Sequence, residues 1–164
     1  MGRLGTIIVV LIIAYAVFQS ANEADRDEAG NIIGEGQIDA FTMHVGDCFN
    51  DNQDVLGFGA AGGEVQNLPG LPCSEPHDNE VYAIFDVSFD SYPGEKSMLE
   101  AATDQCLKRF DRFVGRPYDE SVLDIFPIYP TNDSWSEMGD REVICAIYHI
   151  DLKKLTGSMK GSRI

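Results

Sequence analysis

Cys73-Ser74-Glu75-Pro76-His77-Asp78-Asn79-Glu80 runs straight into Val81-Tyr82-Ala83-Ile84-Phe85-Asp86-Val87-Ser88-Phe89. The first half gathers a thiol, a histidine and three carboxylates within eight residues, the composition of an active site. The second half alternates. Val81, Ala83, Phe85, Val87 and Phe89 fall on one face at the period of two that a strand imposes. Tyr82, Ile84, Asp86 and Ser88 fall on the other, which is only partly polar, so the strand is expected to be central. The whole stretch reads as a structural corner: a cysteine-tied loop, stiffened by Pro76, that feeds a central strand.

Downstream, Tyr92-Pro93-Gly94 is a turn, and Glu95 to Gly115 is the convincing soluble helix. Leu99, Ala102, Cys106, Phe110 and Phe113 recur at spacings of three, four, four and three, which makes one apolar stripe. Glu95 and Glu100 near its start and Lys108, Arg109 and Arg112 near its end match the helix dipole, and Gly115 can terminate it. Shorter strands are expected over Thr42 to Phe49, Glu64 to Leu71, Val122 to Tyr129 and Arg141 to His149. Pro127 confines the third of these to an edge or a bulge. Thr131 to Gly139 reads as a loop that holds the single Trp135, and the tail from Thr156 to Ser162 reads as too small and polar to be core. These elements predict an α+β domain with a mainly antiparallel sheet and one long packed helix.

Cys48, Cys73, Cys106 and Cys145 contain no C-x-x-C pair, which argues against a structural zinc site or a thioredoxin-like motif. An even number at wide spacing favours two disulfides in an oxidising compartment. Cys106 lies on the helix stripe and Cys145 on an apolar strand face with Val143 and Ile147, so a helix packed on that sheet would join them. Cys48 and Cys73 pair by elimination.

That pairing also decides the chemistry of the corner, because a sulfur in a disulfide is no resting nucleophile. A Cys73–His77 hydrolase would further need an orienting group and an oxyanion hole that no motif supplies. His77, Asp78 and Glu80 have the right types for a metal-assisted hydrolase but lack a close second histidine. His44 stands alone in a strand and reads as a surface or satisfied residue. Asn50 to Gly63 matches neither a calcium loop nor a phosphate cradle and reads as a flexible surface loop. No catalytic residue, metal or cofactor is assigned. Glu75, His77, Asp78 and Trp135 remain as candidate interaction residues, Trp135 with the competing reading of a half-buried lid.

At the N-terminus, nineteen uncharged residues separate Arg3 from Glu23. As a helix that run is about 28 Å long, close to the ~30 Å of bilayer hydrocarbon. Arg3 precedes it and Glu23, Asp25, Asp27 and Glu28 follow, so the positive-inside rule puts the N-terminus in the cytoplasm. A cleaved signal peptide competes with this, but Gln19 spoils the best cleavage site. The expected organisation is a single-pass anchor over 1–22 that meets the bilayer through 4–22, an acidic tether over 23–41 and an extracytoplasmic domain over 42–164. Twelve basic against twenty-seven acidic residues give a net charge of −15, which excludes a generic nucleic-acid binder.

Val45-Gly46-Asp47-Cys48-Phe49 and Pro72-Cys73-Ser74-Glu75-Pro76-His77-Asp78-Asn79-Glu80-Val81 together resemble the septum formation domain of actinobacterial and related exported proteins. The likeness continues through Tyr92-Pro93-Gly94, Cys106, Pro130-Thr131, Ser134-Trp135, Gly139-Asp140-Arg141-Glu142-Val143-Ile144-Cys145 and Leu155-Thr156-Gly157-Ser158, and it covers about residues 42 to 162. The resemblance implies a membrane-tethered domain, a loose association with cell division and no established enzymatic activity. The expected function is an envelope interaction module with a membrane or cell-envelope protein as partner. The alternative is an accessory subunit that stabilises a larger membrane complex.

Overall fold

A computed structural model of the chain describes residues 23–51 and 66–164. The expected anchor over 1–22 and the glycine-rich run from Gly57 to Gly63 lie outside the described residues. No helix among the described residues is long and apolar enough to cross a membrane.

The fold is α+β. Its strands are β1 (Gly36–Asp39), β2 (Cys48–Phe49), β3 (Asn67–Leu71), β4 (Asn79–Asp86), β5 (Leu123–Ile128) and β6 (Glu142–His149), with one long helix α1 (Glu95–Val114) between β4 and β5. They form one sheet in the order β1-β3-β2-β4-β6-β5, with antiparallel pairing between the named strands. β4 is central as expected, and β5, with Pro127, is an edge.

Each face of the sheet has its own apolar cover. On one face α1 lays down Met98, Ala102, Cys106, Phe110, Phe113 and Val114 against Tyr82, Ala83, Val143, Cys145 and Ile147. Met98 is buried in the first turn, while Leu99, expected on that stripe, is 41 % exposed. The helix ends where Gly115 takes the left-handed conformation (φ 80°) and returns its N–H to the Asp111 carbonyl, a conformation that glycine adopts without the strain of a β-carbon.

The alternation expected along β4 does not hold throughout, because a bulge interrupts the β4–β6 register between Val81 and Ala83. Tyr82 and Ala83 both join the helix-side core, while Val81 is buried in the opposite cluster with Phe49, Leu68 and Ile144. Both faces are therefore apolar, which explains why the second face looked only partly polar in the sequence.

The cover on that second face comes mostly from the stretch expected to be a tether over 23–41, with Met43 just beyond it. Ile32, Ile38, Ala40 and Met43 are buried there. β1 pairs with β3 residue by residue from Gly36↔Gly70 to Asp39↔Asn67, and Glu23 and Arg26 make further bridges to Gln37 and Ile32. Arg26 reaches the buried Asp47 with two nitrogens at 2.6 and 2.8 Å, and Asp47 also accepts from the His44 N–H at 2.7 Å. Residues 23–39 thus belong to the folded unit rather than hanging from it. The expected first strand over 42–49 is correspondingly shorter: Ala40–Thr42 form a 3-10 turn and only Cys48–Phe49 are β2.

The tail also differs from its expectation. Met159 within it and Leu155 just before it are buried in the helix-side core, and Leu155 exchanges both backbone hydrogen bonds with His77. Two isolated apolar residues in a polar string are enough, because the backbone between them is paired.

A free tether would tolerate substitution, whereas this one is expected not to. A β-carbon at Gly36 would collide with the Ala24 backbone, so Gly36→Ala is expected to lose about 1–3 kcal/mol through overpacking. Arg26→Ala strands the Asp47 carboxylate and is expected to lose about 1–3 kcal/mol. Urea unfolding of the full chain measures both losses.

Candidate functional site

The corner from Cys73 to Glu80 is fixed at both ends. Cys48–Cys73 and Cys106–Cys145 are the two disulfides, the pairing expected from the strand and helix faces. Cys48 stands opposite both Leu71 and Glu80 across β2, so the bridge ties the corner to the middle of the sheet. Closing loops of these lengths stabilises by roughly 3.5 and 4 kcal/mol in the chain-entropy model. On the far side the tail zips to the corner, with His77 N donating to the Leu155 carbonyl at 3.0 Å and Gly157 N to the Cys73 carbonyl at 2.6 Å.

The side chains of the corner turn to different partners. His77 is fully buried, and its Nδ1 lies 2.8 Å from the Glu75 carbonyl. A carbonyl only accepts, so Nδ1 carries the proton and Nε2 is the unprotonated nitrogen. Burial depresses the His77 pKa, with the charge of nearby Lys154 as a minor contribution, and holds the ring neutral. Asp78 accepts from Lys154 Nζ at 2.7 Å and from the Asp51 N–H at 2.9 Å. Glu80 is fully buried and accepts from Ser158 Oγ at 2.5 Å and from the Met159 N–H at 2.6 Å. Burial raises its pKa, against the lowering effect of these two donors.

His77, Asp78 and Glu80 therefore make three separate sets of contacts and do not converge on one point, and the buried Nε2 of His77 has no hydrogen-bond partner among the described residues. Among the described residues, the potential ligands that do converge are Cys48, Cys73 and Glu80, whose sulfurs and one carboxylate oxygen lie within 4.8 Å of one another. With the sulfurs joined to each other they are not thiolate ligands.

Of the four candidate interaction residues, Glu75 is exposed at the tip of the corner between exposed Ser74 and Pro76, and Asp78 is half-buried. His77 and Trp135 are buried. Trp135 sits in a π-helical turn, Ser134–Met138, with the Arg141 guanidinium 3.4 Å from its ring centroid and Tyr92 packed edge-on. It is buried within the helix-side core cluster, deeper than the half-buried lid weighed from sequence.

A family model described as Septum formation matches residues 45–162. The chain belongs to that family. Neither a curated protein nor a solved structure matches it. The Septum formation match takes in the corner, both disulfides, α1 and the tail, whereas Arg26, β1 and the second-face cover precede it. Sequence reasoning missed three groups that hold the Septum formation corner in place: Asp47, Ser158 and the Met159 N–H. Their signal was present, since Asp47 and Ser158 both fall within runs that carry the resemblance.

The two buried titratable groups of the corner are expected to act on stability in opposite directions. His77 has a folded pKa below 6.5, so as pH falls through 6.5 the unfolded chain gains a proton that the folded chain refuses, and stability is lost. Glu80 has a folded pKa above 4.5, so as pH rises past 4.5 the folded chain keeps a proton that the unfolded chain has released, and stability is lost on the way up. His77→Asn, which keeps an amide donor for Glu75, is expected to remove the first dependence, and Glu80→Gln the second. Urea midpoints of each variant against the native chain, from about pH 4 to pH 8, resolve the two signs.

Proposed function

We propose that this protein is a membrane-anchored extracytoplasmic interaction module serving septum or cell-envelope assembly. The observation that carries the reading is that the polar side chains buried or half-buried at the corner are committed to the fold: His77 to Glu75, Asp78 to Lys154 and Asp51, and Glu80 to the tail. A hydrolytic site would hold such groups convergent and open to a substrate. Here they brace an exposed tip, Ser74 to Pro76, on a rigid sheet, which is the arrangement of a recognition loop. Membership of the Septum formation family supports the process, and the two disulfides support an oxidising exterior. The apolar run over 4–22 supplies the anchor, which raises the effective concentration of the domain for partners at the same membrane.

Photocrosslinking in cells, with the reactive residue placed at Glu75, tests this directly. The expected outcome is crosslinks to division or cell-wall assembly proteins, lost or much reduced when the same residue is placed at the exposed Asp104 of α1. Crosslinks from both positions to the subunits of one stable membrane complex would overturn the module reading in favour of an accessory subunit.

A further inference from the structure

The two disulfides differ in a way that the interaction reading does not use. Cys106 and Cys145 are both sealed in the helix-side core with no exposure. Cys48 is equally sealed, but its partner Cys73 is half-exposed, next to the exposed tip Ser74 to Pro76. Beside this asymmetric bridge lies the carboxyl of Glu80, fully buried, with one oxygen within 4.8 Å of both sulfurs. That separation is within reach of proton transfer through one bridging water.

We propose that Cys48–Cys73 is an exchange-competent disulfide that oxidises an exposed dithiol, with Cys73 as the attacked sulfur, Cys48 as the leaving group and Glu80 as the proton donor to it. The steps balance. A thiolate of the dithiol attacks the accessible Cys73 Sγ and forms a mixed disulfide as the Cys48–Cys73 bond breaks. The bonding pair leaves on Cys48 Sγ, which takes the Glu80 proton. The second thiol of the same dithiol, after losing its proton to solvent, attacks the mixed disulfide and expels Cys73 as a thiolate, which solvent protonates. Glu80 recovers its proton from solvent. The dithiol loses two electrons and two protons and becomes a disulfide; Cys48 and Cys73 gain both.

Each group suits its part. A buried thiolate is a poor leaving group in apolar surroundings unless it is protonated as it forms. Glu80 can supply that proton because burial keeps it protonated at a higher pH than a surface glutamate. Its neighbours are the Ser158 hydroxyl and the Met159 N–H from the tail, the two sulfurs, and Ile147 across β6, and no charged side chain contributes to its shift. Cys106–Cys145 has neither an exposed sulfur nor a carboxyl in reach among the described residues.

The test exposes the full, oxidised chain to reduced glutathione or dithiothreitol without denaturant, quenches with acid, alkylates the free thiols and maps them by mass spectrometry. The expected glutathione adduct is on Cys73, with alkylation on Cys48, while Cys106–Cys145 stays closed. Glu80→Gln is expected to slow opening about a hundredfold, the lower side of what general acids contribute, at the acid end of a pH series where Glu80 holds its proton, with the deficit shrinking as pH rises. An adduct on Cys48, opening of both bridges together, or equal rates for Glu80→Gln at every pH would overturn the proposal. Should Glu80→Gln fail to fold, the native chain carries the test: its opening rate per unit of thiolate is expected to fall as pH rises, and a flat profile overturns the assignment.

Discussion

A carboxyl group buried in the middle of a sheet is tolerated only where donors meet it, and Glu80 sets that condition for this fold. Its oxygens take the Ser158 hydroxyl and the Met159 N–H, so the chain end must return to the sheet to complete β4. The return then brings Leu155 against His77, Gly157 against Cys73 and the Met159 side chain into the core. Corner, tail and disulfide are consequences of one another. None of the three has an independent reason to be where it is.

The opposite face obeys a second condition. The bulge after Val81 turns apolar residues to both sides of β4, and α1 can cover only one of them. Residues 23–43 cover the other, pinned by the Arg26–Asp47 pair. Hydrogen bonds to Asp47 raise the Arg26 pKa, and with the aspartate's charge they outweigh the lowering effect of desolvation. Gly46, just before that aspartate, has φ 99° and returns its N–H to the Val81 carbonyl at 2.8 Å, a backbone state that any side chain would strain.

Much of this was legible where the signal is local. The period of α1, the breaker Gly115 and the restriction of β5 to an edge or a bulge follow from short windows, while the cysteine pairs follow from the faces that Cys106 and Cys145 occupy and, for Cys48–Cys73, from elimination. What was illegible is non-local. The phase of β4 reads as unbroken because a bulge leaves no mark on an alternating string. Ile32 and Ile38 stand six residues apart and show no period, because Ile38 lies on a four-residue strand defined by its partner β3 and Ile32 is held outside it by a bridge to Arg26. The tail offered only Leu155 and Met159, and its main contribution is a backbone N–H, which no side-chain pattern records. At the corner the residue types were plain in the sequence, but their separate destinations were not. Only the fold distinguishes a convergent cluster from a brace.

The ends of the sheet carry a consequence for life in a crowd. An open strand edge is a template on which a neighbouring copy can add its own strand, and domains held together at one surface meet such neighbours often. At one end, β5 carries Pro127, which removes a donor from the ladder. At the other, β1 spans four residues, two of them glycine and aspartate, and Glu23 already bridges to its Gln37. Short, interrupted and partly occupied edges are poor templates for strand addition by a neighbouring copy.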